Sequence, residues 1–223
     1  KEADETPRGV IVQDTAWDGY EEIPAWIMQG YGTMAMEAGE QLKAQGCERP
    51  THIFVQAGVG SLAGAVVGYF ANLYADNPPT FVVVEAEAAA CLYKGAAAGD
   101  GDIRIVDGDM QTIMAGLACG EPNTISWDIL KNHVKVFIAA PDWVAANGMR
   151  MLAAPIKGDA SITSGESGAA PFGALAAMTT LDEYEQLKKD IGLDENSRVL
   201  LFSTEGDTDP DRYKNIVWKG LDK

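Results

Sequence analysis

Short runs of β-branched and aromatic residues alternate along this chain with longer segments of helical hydrophobic spacing. The runs predicted as strands cover residues 10–13, 53–55, 81–84, 134–138 and 198–202. Strands that alternate with helices are typical of βαβ units and of a mainly parallel sheet. The pattern therefore predicts an α/β fold.

The first two helices are predicted by apolar residues that recur at helical spacing. Pro24 is tolerated in a first helical turn, and Gly46 is placed to end the first helix. We expect its apolar stripe to face the core; the stripe comprises Ile27, Tyr31, Met34, Ala38 and Leu42. The stripe of the second helix comprises Leu62, Val66, Phe70 and Leu73.

The second helix also carries small residues, and we expect them to let it lie close on the sheet. They are Ala63, Gly64 and Gly68. Further helices are predicted near residues 142–153, 168–179 and 181–191, and a last helix begins at Asp209 and Pro210.

The turn between strand 53–55 and the second helix is the strongest sign of a ligand. Gly58 and Gly60 permit left-handed backbone angles, and the free N–H groups at the start of a helix favour an anion. The spacing from Gly58 to Ala63 also matches a dinucleotide fingerprint, with Glu85 where a ribose-binding acid falls. The motif alone leaves open a dinucleotide, another phosphate ligand such as pyridoxal phosphate, or a structural turn.

Composition excludes several classes of partner. The 223 residues include 33 acidic and 17 basic side chains, a net charge of −16 that disfavours nucleic acid and anionic membranes. No apolar stretch approaches the roughly 20 residues that span a bilayer, and the start of the chain does not resemble a secretory signal. We therefore expect a cytoplasmic protein whose charged residues 1–8 are disordered.

Ser167 lies in a segment that resembles a nucleophile elbow, but a serine hydrolase is not predicted. His52 and His133 both precede Ser167, whereas the usual chain order places a histidine after the serine. Two histidines so far apart do not predict a metal site either. Residues 164–168 therefore fit either a helix start with a serine cap or a turn that presents polar groups to a cofactor.

The three cysteines do not have the spacing of a disulfide framework or a zinc site, and we interpret them as structural. Cys91 and Cys119 flank the expected ligand region, so a redox-sensitive pair is a second hypothesis. Ser203 and Thr204 follow the last strand, at the sheet edge where ligands bind. Such hydroxyls can hydrogen-bond a pyridine nitrogen without forcing it to stay protonated.

Six segments of the chain together resemble the diaminopropionate ammonia-lyase family: residues 12–17, 27–31, 56–60, 112–123, 164–168 and 203–209. This resemblance implies a tryptophan-synthase-like, fold type II enzyme that uses pyridoxal 5'-phosphate. The implied fold is a three-layer αβα arrangement around a mainly parallel sheet. Residues 1–50 would end the small domain and return to the large domain, and residues 51–223 would form the large, cofactor-binding α/β domain.

The resemblance also implies roles for particular residues. Asp14 would anchor a substrate amine or act as an auxiliary base, and Ser203 or Thr204 would face the pyridine nitrogen. The Ser61 hydroxyl and the loop N–H groups would hold the cofactor phosphate; the loop comprises Ala57, Gly58, Val59, Gly60, Ser61 and Leu62. The pocket would be lined by Met114, Ala115, Gly116, Gly165, Glu166 and Ser167.

One departure from the family pattern is the absence of the Schiff-base lysine. No lysine here matches its motif, so we expect a C-terminal fragment whose partner is the N-terminal remainder of the enzyme, in a homodimer. The complete enzyme would convert 2,3-diaminopropionate to pyruvate and ammonia in amino-acid catabolism. The alternatives are a serine or threonine dehydratase of the same fold, a dinucleotide-binding oxidoreductase, and a non-catalytic binding fragment.

Overall fold

Four parallel strands form one sheet, so their carboxyl ends meet at the same edge. The structure, a computed structural model, describes Pro7 and residues 9–222. The strands lie in the order β3-β2-β1-β4, and β1 pairs with both β2 and β4. Their bounds are β1 His52–Gln56, β2 Thr80–Ala86, β3 Val134–Ala140 and β4 Val199–Leu201.

Eight α-helices lie within the described residues. They are α1 Glu22–Ala44, α2 Ser61–Leu73, α3 Cys91–Ala98, α4 Thr124–His133, α5 Asp142–Ala153, α6 Glu166–Thr180, α7 Glu185–Ile191 and α8 Pro210–Val217. Three short 3₁₀ turns cover Glu87–Ala89, Ala115–Leu117 and Asp182–Tyr184.

The sheet separates two hydrophobic cores, because successive strand residues point to opposite faces. Phe54 and Val82 pack on one face, against α5, α6 and α8. Ile53 and Val83 pack on the other face, against α1, α2 and α4. The predicted three-layer αβα arrangement around a parallel sheet is thus confirmed.

Most elements predicted from the hydrophobic pattern are present. The four strands of the sheet lie where runs 53–55, 81–84, 134–138 and 198–202 predict them, and the helix predicted at 142–153 has those bounds. The predicted helix ends are confirmed too. Gly46 has φ +78° just beyond α1, and the Asp209 side chain accepts a hydrogen bond from the Arg212 N–H at the start of α8.

The strand predicted at residues 10–13 is wrong. Val10 and Val12 are each 71% exposed and lie outside the sheet. Tyr20 occupies the hydrogen-bonding groups that a strand would offer, since its hydroxyl accepts from the Gln13 N–H and donates to the Ile11 carbonyl. The expected disorder of residues 1–8 concerns positions that, apart from Pro7, lie outside the described residues.

The expected close contact of the small residues of α2 with the sheet is wrong for the two glycines. A Cβ at Gly64 would lie 2.7 Å from the Ser126 Cβ, and one at Gly68 would lie 3.6 Å from Ile129. Both glycines therefore face α4, while Val66 and Phe70 are fully buried in the core beneath the sheet. The small residues make room for a second helix that the hydrophobic spacing does not predict.

The predicted apolar stripe of α1 is only partly buried. The buried positions are instead Pro24, Met28, Ala35 and Gly39, and Gly39 lies against the Tyr69 and Phe70 side chains of α2. Tyr31 and Met34 from the predicted stripe face a cavity at the sheet edge. The α1 helix thus packs on α2 and leaves part of its apolar face to that cavity.

Every helix among the described residues is too short or too polar to cross a lipid bilayer.

Candidate functional site

The backbone N–H groups at the amino end of α2 have no protein acceptor among the described residues. Gly60 precedes the helix with φ +102°, and no side chain caps the helix there. Within the described part of the chain, the N–H groups of residues 58–63 have no acceptor. The Ala57 N–H, by contrast, donates to the Val84 carbonyl and is not available to a ligand. The loop can therefore bind an anion through N–H groups that begin at Gly58.

Gly60 gives the loop its shape. A Cβ there would lie 2.7 Å from the Ser126 Oγ and 3.2 Å from Leu130, both on α4. The Asn123 N–H also donates to the Val59 carbonyl at 2.8 Å, which ties the loop to the start of α4. The donors of the loop are thus held in place by a neighbouring helix.

Asp14 is held beside this loop by its backbone. Its carbonyl accepts hydrogen bonds from the Ser61 hydroxyl, at 2.7 Å, and from the Asn123 side-chain amide. Asn123 is fully buried, and its side-chain oxygen caps α4 by accepting from the Ser126 N–H. One asparagine therefore fixes α4, the loop and the segment carrying Asp14, although the hydrophobic pattern gives no signal for it.

The amino end of α6 is closed by Glu205. Its carboxylate accepts from the N–H groups of Ser167, at 2.6 Å, and Gly168, at 3.2 Å. Of the two alternatives for residues 164–168, the serine cap is absent, because α6 begins after Gly165 with no cap from its own segment. The Ser164 hydroxyl pairs instead with Ser203 at 2.8 Å. A carboxylate already satisfies these donors, so an anion is directed to α2 instead.

These parts surround one cavity of about 600 Å³ at the carboxyl edge of the sheet. Its lining includes the acidic residues Asp14 and Glu205 and no lysine, arginine or histidine among the described residues. Gly116 and Ser167 are neighbours in its wall, where the Gly116 N–H donates to the Ser167 hydroxyl at 3.2 Å. The lining comprises Asp14, Tyr31, Met34, Gln56, Ala57, Gly58, Val59, Gly60, Ser61, Leu62, Gly116, Leu117, Cys119, Ser167, Thr204 and Glu205.

Some residues predicted at the pocket do not line the cavity. Met114 is fully buried in the core, and neither Ala115 nor Gly165 belongs to the lining. Glu166 points to Arg212, at 3.2 Å between Oε1 and Nε, in an ion pair without the geometry of a hydrogen bond. Burial raises the pKa of the Glu166 carboxyl. Thr204 lines both the cavity and a neighbouring groove between α1 and β4, whereas Ser203 lines the groove alone.

The buried Glu85 carboxylate has a structural role as a helix cap. It is 1% exposed, and its carboxylate caps α3 by accepting from the N–H groups of Leu92, at 2.9 Å, and Tyr93, at 2.6 Å. Burial raises the pKa of this carboxyl to about 7. It is not free for the ribose hydroxyls that the dinucleotide alternative requires.

The cysteines are all free. The Cys91 thiol lies 3.5 Å from the Cys119 carbonyl, and burial raises its pKa to about 12. Such a thiol carries almost no thiolate at neutral pH and is a poor nucleophile. The two segments are adjacent, and a redox role for the pair stays a hypothesis.

The histidines lie away from the cavity. The His52 ring is buried between the Thr51 hydroxyl and the Ile191 carbonyl, at the end of β1 opposite the glycine loop. His133 ends α4 at the surface. Ser167 therefore has no imidazole partner in the cavity wall.

Sequence reasoning assigned no role to several polar residues of the site. Tyr31 belongs to the apolar stripe predicted for α1, yet it lines the cavity, and burial together with the charge of Asp14 raises the pKa of its phenol. The sequence signal for this position is a tyrosine hydroxyl within an otherwise apolar helical stripe. Gln56 offered a similar signal, as a polar residue that ends a fully buried strand. Glu205 caps a helix distant in sequence, and spacing cannot reveal such a contact.

The chain matches known proteins over most of its length. Residues 5–204 match the family described as "Pyridoxal-phosphate dependent enzyme". The diaminopropionate ammonia-lyase of Salmonella typhimurium is 53% identical over 217 residues, which are 97% of this chain and 54% of that protein. The enzyme of the same name from Escherichia coli K12 is 49% identical over 94% of this chain and 52% of its own length.

A solved structure shows a similar arrangement. It is the crystal structure of diaminopropionate ammonia lyase from Escherichia coli in complex with an aminoacrylate-PLP azomethine reaction intermediate, with a TM-score of 0.87 and 47% sequence identity. The similarity covers 95% of this chain and 53% of that one. The chain thus spans about half the length of the curated relatives it matches.

Proposed function

This chain belongs to the family of pyridoxal-phosphate dependent enzymes, and from that premise we propose that its protein eliminates ammonia from 2,3-diaminopropionate. The products are pyruvate and ammonia, which makes the protein a carbon–nitrogen lyase that uses pyridoxal 5'-phosphate. Relatives about 50% identical carry the name of this activity. The observation that carries the proposal is the uncapped amino end of α2, which opens into the cavity beside Asp14.

The cofactor phosphate binds at the glycine loop. The N–H groups from Gly58 to Leu62 are unpaired among the described residues and point their partial positive charge at an anion. Ala57 contributes to the wall, since its N–H is bonded within the sheet. The Ser61 hydroxyl bonds the Asp14 carbonyl, so a phosphate that takes this hydroxyl also contacts the segment carrying Asp14.

Thr204 and the opposite wall of the cavity would hold the ring of the cofactor. Thr204 is the better placed of the two predicted hydroxyls to meet the pyridine nitrogen, because Ser203 lies outside the cavity and is bonded to Ser164. Gly116 and Ser167, which are neighbours in that wall, would contact the ring. Met114 supports that wall from the core.

When bound, pyridoxal phosphate supplies an electron sink that stabilises negative charge at the α-carbon of an amino acid. Asp14 attracts the second ammonium group of the substrate or takes up a proton near it. Asp14 lines the cavity with no basic side chain among the described lining residues, which favours a substrate with an extra positive charge over serine or threonine. The Glu205 carboxylate is engaged by the N–H groups of α6. No lysine among the described residues lines this cavity, and we propose that the Schiff-base lysine lies in the part of the enzyme outside this chain.

The same proposal covers domains, partners and location. Residues 1–50 end the small domain and return to the large domain, which residues 51–223 form. The N-terminal remainder completes the site, and the enzyme is a homodimer by analogy with its fold. The three free cysteines suit a reducing compartment, and we propose the cytoplasm.

The test compares Asp14→Asn with Asp18→Asn in the full-length protein. Asp18 is an exposed neighbour that does not line the cavity, so its variant should keep the activity. Asp14→Asn should lose pyruvate and ammonia release from 2,3-diaminopropionate by about 100-fold or more, the usual range for a positioned proton-transfer group. An Asp14→Asn enzyme with full activity contradicts the role of Asp14.

Substrate and cofactor assays separate the alternatives. A wild-type enzyme that releases pyruvate faster from serine than from 2,3-diaminopropionate is a dehydratase. Nicotinamide binding without pyridoxal phosphate binding supports the oxidoreductase, which the helix-capping role of Glu85 disfavours.

A further inference from the structure

Gln56 is a buried polar side chain in the cavity that the proposed function does not use. It is the last residue of β1 and is 3% exposed. Its side-chain Nε2 donates to the Thr204 Oγ1 at 2.9 Å. Its Oε1 is buried and has no hydrogen-bond partner among the described residues. The single hydrogen bond of this amide is therefore the one to Thr204, although buried polar groups are usually fully paired.

The contact with Gln56 sets the direction of the Thr204 hydroxyl. A hydroxyl has one hydrogen to donate and two lone pairs that accept. The amide N–H of Gln56 occupies an acceptor position on Thr204, and no described residue accepts the Thr204 hydrogen. That hydrogen is therefore free for an acceptor, and Thr204 borders both the cavity, which Gln56 also lines, and the groove that contains Ser203.

Resting on the proposed function, we infer that Gln56 is a positioning residue that makes Thr204 a hydrogen-bond donor to the cofactor's pyridine nitrogen and so keeps the ring neutral. A neutral pyridine nitrogen accepts a hydrogen bond, whereas a protonated one must donate. An uncharged amide does not titrate in the neutral pH range, so this arrangement holds across it.

A carboxylate in place of the amide reverses the arrangement. The Gln56→Glu side chain has the same length but only accepts when ionised, so it draws the Thr204 hydrogen to itself. The hydroxyl then offers a lone pair to the ring, and the added negative charge also favours a protonated nitrogen. The substitution therefore changes the protonation of the ring with little change in shape.

The experiment uses the full-length protein loaded with pyridoxal 5'-phosphate that is isotopically labelled at the ring nitrogen. The chemical shift of the label distinguishes a neutral from a protonated pyridine, and it is followed across the neutral pH range. Wild type should stay neutral. In Gln56→Glu the pH of half-protonation should rise by about one unit or more, a tenfold change in proton affinity. Gln29→Glu adds the same charge at an exposed position of α1 that does not border Thr204, and it should match wild type.

The possible results distinguish a failure of this inference from a failure of the proposed function on which it rests. A protonated nitrogen in wild type means that the amide has the opposite orientation and overturns the inference, whether or not any variant folds. A Gln56→Glu protein that binds the cofactor but keeps the wild-type signal overturns it as well. A wild-type protein that does not bind pyridoxal phosphate removes the proposed function, and the inference with it. Thr204→Val keeps the shape of the side chain but removes the hydroxyl. In this variant the chemical shift of the ring nitrogen should change as expected for a neutral pyridine that has lost a hydrogen bond.

Discussion

The glycine loop gives the sharpest prediction, because replacing Gly60 with alanine perturbs the backbone and the packing together. Gly60 has φ +102°, a conformation that side chains with a Cβ rarely adopt, and the strain costs about 1–2 kcal/mol. The new Cβ would also lie 2.7 Å from the Ser126 Oγ, and such overpacking costs roughly 1–3 kcal/mol more. The Gly60→Ala protein should therefore lose about 2–5 kcal/mol of stability, or shift its loop to avoid this loss.

In a shifted loop the backbone N–H groups no longer converge on the position where the phosphate would bind. We expect the Kd for pyridoxal phosphate to rise at least about tenfold, which corresponds to about 1.4 kcal/mol. The assay is a cofactor titration of the full-length protein, together with thermal unfolding of each variant.

Gly192 provides the matched control. It has φ +68° beyond α7, and a Cβ there would meet no atom within 4 Å. Gly192→Ala should therefore cost only the backbone strain and leave cofactor affinity unchanged. If Gly60→Ala binds the cofactor as wild type does and is no less stable than Gly192→Ala, the loop is not a rigid phosphate site and the reasoning fails.

Three further predictions concern stability and reactivity. Burial raises the pKa of Glu85 from 4.5 to about 7, so the folded state binds the proton more tightly than the unfolded state does. The free energy of unfolding should therefore fall by about 3 kcal/mol as pH rises from about 4.5 to about 7. The Tm measured against pH should fall less in Glu85→Gln than in wild type. Asp209→Ala removes the cap of α8 and should cost about 1 kcal/mol in denaturant unfolding, whereas Asp211→Ala, which caps nothing, should cost less. Cys91, with its pKa raised to about 12, should resist alkylation at pH 8 in the folded protein and react after unfolding, as peptide mass analysis would show.

The strands of the sheet were predictable because their signal is local. Residues 81–84 form an unbroken apolar run, and only a strand buried on both faces requires one. The helix starts at Ser61 and Pro210 were equally readable, from a glycine turn in one case and an Asp-Pro pair in the other. The strand expected at residues 10–13 shows the limit of this signal. An apolar run becomes a strand only where a neighbour offers hydrogen bonds, and there Tyr20 takes them.

The candidate site was predictable in its parts but not in its arrangement. The glycine loop, Ser167 and Thr204 could each be identified from the sequence, since each ends a strand or begins a helix near the sheet edge. The choice of Thr204 over Ser203 depends on which way consecutive side chains point, and that depends on the end of β4. The burial of Met114 likewise depends on the core behind the 3₁₀ turn Ala115–Leu117.

By itself the sequence determined the α/β fold and the loop that suits a phosphate, because both follow from hydrophobic period and backbone freedom within a few residues. Only the tertiary structure decided which helix start stays open. Glu205 closes α6 from 37 residues away, while α2 has no such partner among the described residues. It also decided that Gln56 meets Thr204, across 148 residues of chain. Side-chain partners this distant in sequence are brought together by strand order and packing, which no local pattern encodes.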